Sequence, residues 1–110
     1  MTLFSISVAS LMAAALLAAG VINAVGSAKI SEDFVRWGYP GWWNRVTGGL
    51  EMLAAALVAL PATRVAGLVF GGAICIAAVA TVVRCRDYGH IAPGLLLTAL
   101  TGLDLALILN

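Results

Sequence analysis

Charge is what this chain most conspicuously lacks. Its 110 residues include six Lys or Arg and five Asp or Glu, so 10% are charged and the net charge is +1. Soluble domains carry about 25% charged residues. At 63% hydrophobic, a water-soluble domain of this size could not hide its apolar surface, so the expected solvent is lipid. With no basic cluster, nucleic acid is excluded as a partner.

Histidine and cysteine are nearly absent too. His90 is the single histidine, and Cys75 and Cys85 are the only cysteines. Without CxxC or Cys/His spacings, no metal site is expected. Ten residues of helix span about 15 Å, beyond disulfide reach, so both thiols read as free or paired between chains. Cys85 lies between Arg84 and Arg86 with no partner thiol or base in sight. No residue set for a haem, flavin or iron–sulfur cluster is evident, so no cofactor is expected to be covalently bound. The first 25 residues contain no Lys or Arg. Their apolar run exceeds a typical leader core, so it reads as an uncleaved span despite Ala18-Ala19-Gly20.

What is present is four apolar runs, at about 3–26, 43–60, 64–83 and 91–109. Each approaches the roughly 20 residues that cross a bilayer. Pro61 stops the second, and Pro93 falls in the first turn of the fourth, where proline is tolerated. The link Pro61-Ala62-Thr63 is short enough to force an antiparallel hairpin. The expected fold is all-α: one integral membrane domain, residues 1–110, built as a four-helix bundle. The polar stretch between the first two runs predicts a short interfacial helix, with Ser31 as its cap and Glu32 and Asp33 in its first turn. Gly38 ends it. Phe34, Val35 and Trp37 are expected at the acyl boundary, and Trp37, Tyr39, Trp42 and Trp43 in an aromatic belt. Gly67, Gly71, Gly72 and the pairs Ala14/Ala18, Ala15/Ala19 and Ala55/Ala59 predict close helix packing, within the bundle or between copies.

Lys29, Arg36, Arg45, Arg84 and Arg86 share one side, against Arg64 on the other. The positive-inside rule puts that side in the cytoplasm and both termini outside it.

Glu51 is the anomaly. It stands eight residues past Trp43, about 12 Å deep and close to the midplane of a ~30 Å core. A carboxylate there is costly unless paired or hydrated. It is either protonated and donating a hydrogen bond, or ionised against a cation. Lys29 is the better cation, because Arg45 falls on nearly the opposite face. Thr47, one turn earlier, shares the face of Glu51, Gly48 leaves room beside it, and Asn23 lies at a similar depth. Asp104, with Thr101 one turn below, is a second buried carboxylate, either in the same pocket or near the outer interface. The ligand-binding set expected is therefore Glu51, Lys29, Asn23, Tyr39, Trp42, Thr47 and Asp104, in a pocket opening toward the 27–45 loop.

Several motifs occur in order along the chain. They are Gly26-Ser27-Ala28-Lys29-Ile30, Gly38-Tyr39-Pro40, Gly48-Gly49-Leu50-Glu51 with an Ala/Leu run to Leu60-Pro61, and a proline-opened fourth run. In these the chain resembles the DoxX-like family of small four-span bacterial membrane proteins. It departs at Thr81-Val82-Val83, where relatives often carry a histidine. The resemblance implies the bacterial inner membrane and a link to quinone and redox work.

Three functions follow as expectations. The first is a redox-associated subunit, with a homodimer as its simplest closed form, binding a quinone or similar amphipathic ligand, with electrons supplied by a partner membrane or redox protein. The second is a structural or assembly protein in which Glu51 only ties helices. The third is an oligomeric small-solute or proton transporter using Glu51 and Asp104. Whether the protein is an enzyme is left open.

Overall fold

A computed structural model describes residues 3–109, without the side chains of 90–93, so those of His90 and Pro93 lie outside the description. Among the described residues every regular element is a helix. Four long helices, α1 (Leu3–Val25), α3 (Trp43–Ala59), α4 (Arg64–Arg84) and α5 (Ile91–Leu109), pack side by side, and short α2 (Ala28–Arg36) joins α1 to α3. Their neighbour order closes a ring: α1 on α3, α3 on α4, α4 on α5, α5 on α1. By length and composition, two helical segments are apolar enough to cross a membrane, Leu3–Val25 and Pro61–Arg84.

Small residues set the seams. A Cβ on Gly20 would stand 2.7 Å from Met52 Cγ and 2.8 Å from the Gly48 carbonyl, and one on Gly48 would collide with the backbone of Ala24 and Gly20. α1 and α3 can meet this closely only because both positions lack a side chain. Gly67 likewise lies against the Leu57–Val58 backbone. Gly67, Gly71 and Gly72 thus pack within the bundle. Of the alanines expected at seams, Ala55 is buried, but Ala14, Ala18 and Ala59 are exposed. Between the helices sits a dry layer that includes Met12, Leu16, Ala54, Val58 and Leu68.

The α3–α4 hairpin is tied by its own side chains. Thr63 Oγ1 donates to the Leu57 carbonyl at 2.8 Å. Arg64, buried, donates to the Val58 carbonyl at 2.8 Å and the Ala59 carbonyl at 3.1 Å. These are last-turn carbonyls of α3, which have no partner within the helix.

α2 departs from expectation at its start. Its cap is Ser27, whose side chain accepts from the Ile30 amide at 3.2 Å. Ser31 instead donates to the Gly41 carbonyl at 2.7 Å. Gly26, at φ +70, turns the chain out of α1 so early that α2 begins at Ala28. Glu32 and Asp33 therefore fall beyond its first turn. Phe34 also faces inward: it is buried, with its ring 5.3 Å from Trp37 and 6.1 Å from Tyr39.

Two helix ends share one geometry. After α2, the Tyr39 amide bonds the Phe34 carbonyl at 2.9 Å and Gly38 takes φ +96. After α4, the Asp87 amide bonds the Val82 carbonyl at 2.9 Å and Arg86 takes φ 57. Both are Schellman ends, with the left-handed residue one place past the cap. They aim Tyr39 and Asp87, the two residues that lash the α2–α3 strap to α4.

A candidate polar site at the corner of α1, α2 and α3

Glu51 projects from the middle of α3 and is 7% exposed. Its Oε1 accepts from Asn23 Nδ2 of α1 at 2.6 Å. The main-chain carbonyl of Asn23 in turn accepts from Asn44 Nδ2 at 2.7 Å. Asn44 is buried and lines a cleft of about 460 Å³ with Gly26, Ser27, Ser31, Trp42 and Arg45. A hydrogen-bonded line thus runs from the cleft wall to the carboxylate. Cys75 of α4 is also buried.

Lys29 is not the partner of Glu51. It stands in the first turn of α2, exposed, and makes no ion pair among the described residues. The turn at Gly26 carries it out of the bundle, and a neutral amide serves the carboxylate instead. Thr47 is half-buried and makes no side-chain hydrogen bond among the described residues. Trp42 is exposed at the cleft.

Tyr39 belongs to a different group. Thr81 Oγ1 donates to the Ala77 carbonyl at 2.8 Å, so in its 2.8 Å contact with Tyr39 it acts as acceptor. The Tyr39 ring stacks on Trp43, 5.9 Å between centroids and 7° between planes. Nearby, Trp37 Nε1 donates to Asp87 Oδ2 at 2.9 Å, Arg36 pairs with Asp33 at 3.0 Å and also with Asp87, and Arg84 donates to the Trp37 carbonyl at 2.7 Å.

Asp104 is separate again. It is fully buried, and its Oδ1 accepts from Ser5 Oγ at 2.9 Å. Its Oδ2 has no hydrogen-bond partner among the described residues. Ser5 and Asn23, which hold the two carboxylates, are eighteen residues apart on α1, about 27 Å at 1.5 Å per residue. Asp104 and Glu51 therefore do not share a pocket.

Asn44 is a site residue that depth and hydropathy do not single out. It precedes Glu51 by seven residues, two helical turns, and so shares its face; that spacing was the available signal. Nothing in the sequence pattern paired Asp87 with Trp37 or Ser5 with Asp104.

Against known proteins, residues 7–103 match the family model described as the DoxX-like family. No curated protein and no solved structure matches the chain.

Proposed function

The chain belongs to the DoxX-like family, and from that premise we propose that it is a multi-pass membrane protein binding an amphipathic ligand, such as a quinone, where α1, α2 and α3 meet. Membrane embedding with all four long helices as spans is supported by an inverted surface. Leu3, Phe4, Leu11, Ile22, Ile76 and Leu96 are exposed, while Ser5, Asn44, Glu51, Arg64, Thr101 and Asp104 are buried. The longest dimension, 41 Å, is close to the ~40–45 Å of a bilayer with its headgroup regions. The helix end holding Lys29, Arg36, Arg45, Arg84 and Arg86 is assigned to the cytoplasm of a bacterial inner membrane, with both termini outside.

The observation that carries the ligand reading is the line from Asn44 through Asn23 to Glu51. Apolar walls with a few converging polar groups suit an amphipathic ligand. Asn44, in the cleft wall, can orient a ring oxygen, and Glu51, linked to it through Asn23, can hold a proton; electrons would come from a partner protein. The test is calorimetric titration of the purified protein with a short-chain quinone. Binding weakened about tenfold by Glu51→Gln, one lost hydrogen bond of ~1.4 kcal/mol, is expected. No binding to the unaltered protein refutes the reading.

A second reading is favoured by the same bond, because it joins α1 to α3 and so could serve architecture alone. In that case Glu51→Gln lowers thermal stability while no ligand responds, and a stable membrane partner co-purifies.

A further inference from the structure

The α1–α3 seam carries a second hollow, of about 310 Å³, walled by Ala13, Ala14 and Leu17 of α1 and Met52, Ala56 and Ala59 of α3. Every lining side chain is apolar. Arg45 belongs to the same face of α3, since Arg45, Met52, Ala56 and Ala59 follow one another at intervals of seven, four and three residues, each close to whole turns. The hollow begins about 10 Å along α3 from Arg45 and ends about 21 Å from it, at 1.5 Å per residue. Between them, at Gly49, the space a Cβ would occupy is open. The polar cleft and the apolar hollow thus lie along one face of α3, on either side of the Gly20–Gly48 crossing.

The charge at the cleft is unspent. Arg36, Arg64 and Arg84 all bond protein acceptors. Arg45, in the cleft wall, and Lys29, next to the lining residue Ala28, are exposed and form no ion pair among the described residues. The first turn of α2 opens on the same space through Ser27 and Ala28, adding the positive end of a helix dipole. Asn44 supplies an independent sign of a ligand. It is 4% exposed, its N–H is given to the Asn23 carbonyl, and its side-chain oxygen accepts nothing among the described residues.

We propose that this seam holds one anionic phospholipid whose head carries a hydrogen-bond donor beyond the phosphate. The phosphate sits at Arg45 and Lys29 over the start of α2, the head donates to Asn44 Oδ1, and one acyl chain occupies the hollow. The reach of about 21 Å from Arg45 to Ala59 exceeds the ~15 Å half-thickness of the hydrocarbon core, enough for a chain of one leaflet. The inference rests on the reading of the cleft as a ligand site and names the class its charge selects, in preference to a neutral quinone.

The experiment is native mass spectrometry of the full chain in detergent, titrated with phosphatidylglycerol or with phosphatidylcholine of identical chains. Phosphatidylglycerol is expected to be retained about tenfold better, the effect of one charge-assisted contact. Arg45→Gln, on an exposed side chain, abolishes the preference without lowering the melting temperature. Ala56→Phe fills the hollow and weakens both lipids alike. Equal retention of the two lipids by the unaltered protein, or a preference that survives Arg45→Gln, overturns the proposal. So does displacement by glycerol phosphate at equal concentration, which would identify a site for free phosphates. A short-chain quinone added to the same samples separates the two readings. Quinone binding that is sensitive to Glu51→Gln, with no lipid preference, overturns this proposal alone; binding of neither removes both.

Discussion

The indole nitrogen of Trp37 donates to Asp87 Oδ2 across 2.9 Å, joining residues fifty positions apart. Arg36 meets the same carboxylate, and Arg84 returns a bond to the Trp37 carbonyl. The strap between α2 and α3 is thereby fastened to the C-terminal end of α4. Both residues stand at or beside Schellman ends, so local backbone geometry sets up a long-range tie.

Asp87→Ala should release that strap. Hydrogen bonds to charged groups are worth roughly 1.5–3 kcal/mol, and partial exposure of Arg36 puts the loss near the lower figure. Thermal unfolding followed by tryptophan emission reads the loss, and hydrogen exchange should rise selectively over residues 27–43. Uniform exchange across all helices would count against a local latch.

Tyr39→Phe removes the hydroxyl that meets Thr81 but keeps the ring stacked on Trp43. A cost of roughly 0.5–1.5 kcal/mol is expected. Tyr39→Ala should cost distinctly more, because the stacking goes as well. Equal losses from the two substitutions would show that the ring contributes little.

Gly48→Ala and Gly49→Ala form a matched pair. A Cβ at Gly48 strikes α1 backbone, whereas at Gly49 nothing lies within 4 Å. Gly48→Ala should push α1 off α3 and cost roughly 1–3 kcal/mol, as overpacking does. Gly49→Ala should be neutral or stabilising by up to roughly 1 kcal/mol through helix propensity. Denaturation of both variants in one detergent checks the contrast; a tolerated Gly48→Ala would contradict the close crossing.

Arg86→Gly should stabilise. Arg86 holds φ 57 at the end of α4, where a side chain costs roughly 1–2 kcal/mol, offset in part by the unfolded-state entropy of glycine. A gain of about 0.5–1 kcal/mol is expected, with the Asp87 tie unchanged. A lower melting temperature would mean that the Arg86 side chain contributes a contact of its own.

Glu51→Gln and Asp104→Asn should act independently. Their hydrogen-bonding partners on α1 lie about 27 Å apart, and the apolar layer around Met12 and Leu16 stands between them. The double variant should show additive stability changes within about 0.5 kcal/mol. Larger coupling would place both carboxylates in one network.

Much of the fold was legible because helices in an apolar chain are written locally. Run length, Pro61 and the short Pro61-Ala62-Thr63 link put the long helices within a residue or so of where they lie. The 27–43 stretch was less legible. Its helix was expected, but the cap proved to be Ser27, because a left-handed turn at Gly26 competes with nothing visible in hydropathy. The candidate site was partly legible. Depth alone puts Asn23 beside Glu51, and the two do bond. Depth points Lys29 and Asp104 to the same pocket as well, because position along a helix says nothing of rotation about the bundle.

The sequence by itself determined that this chain is helical and largely apolar and that Glu51 needs a companion, since composition and the 1.5 Å rise of a helix carry those points. Only the tertiary structure decided which companion. Whether a carboxylate meets an amide, a lysine or a serine depends on helix crossings set by Gly20 and Gly48, and on turns set by Gly26 and Arg86. These are contacts between residues far apart in the chain, whose geometry no local pattern encodes.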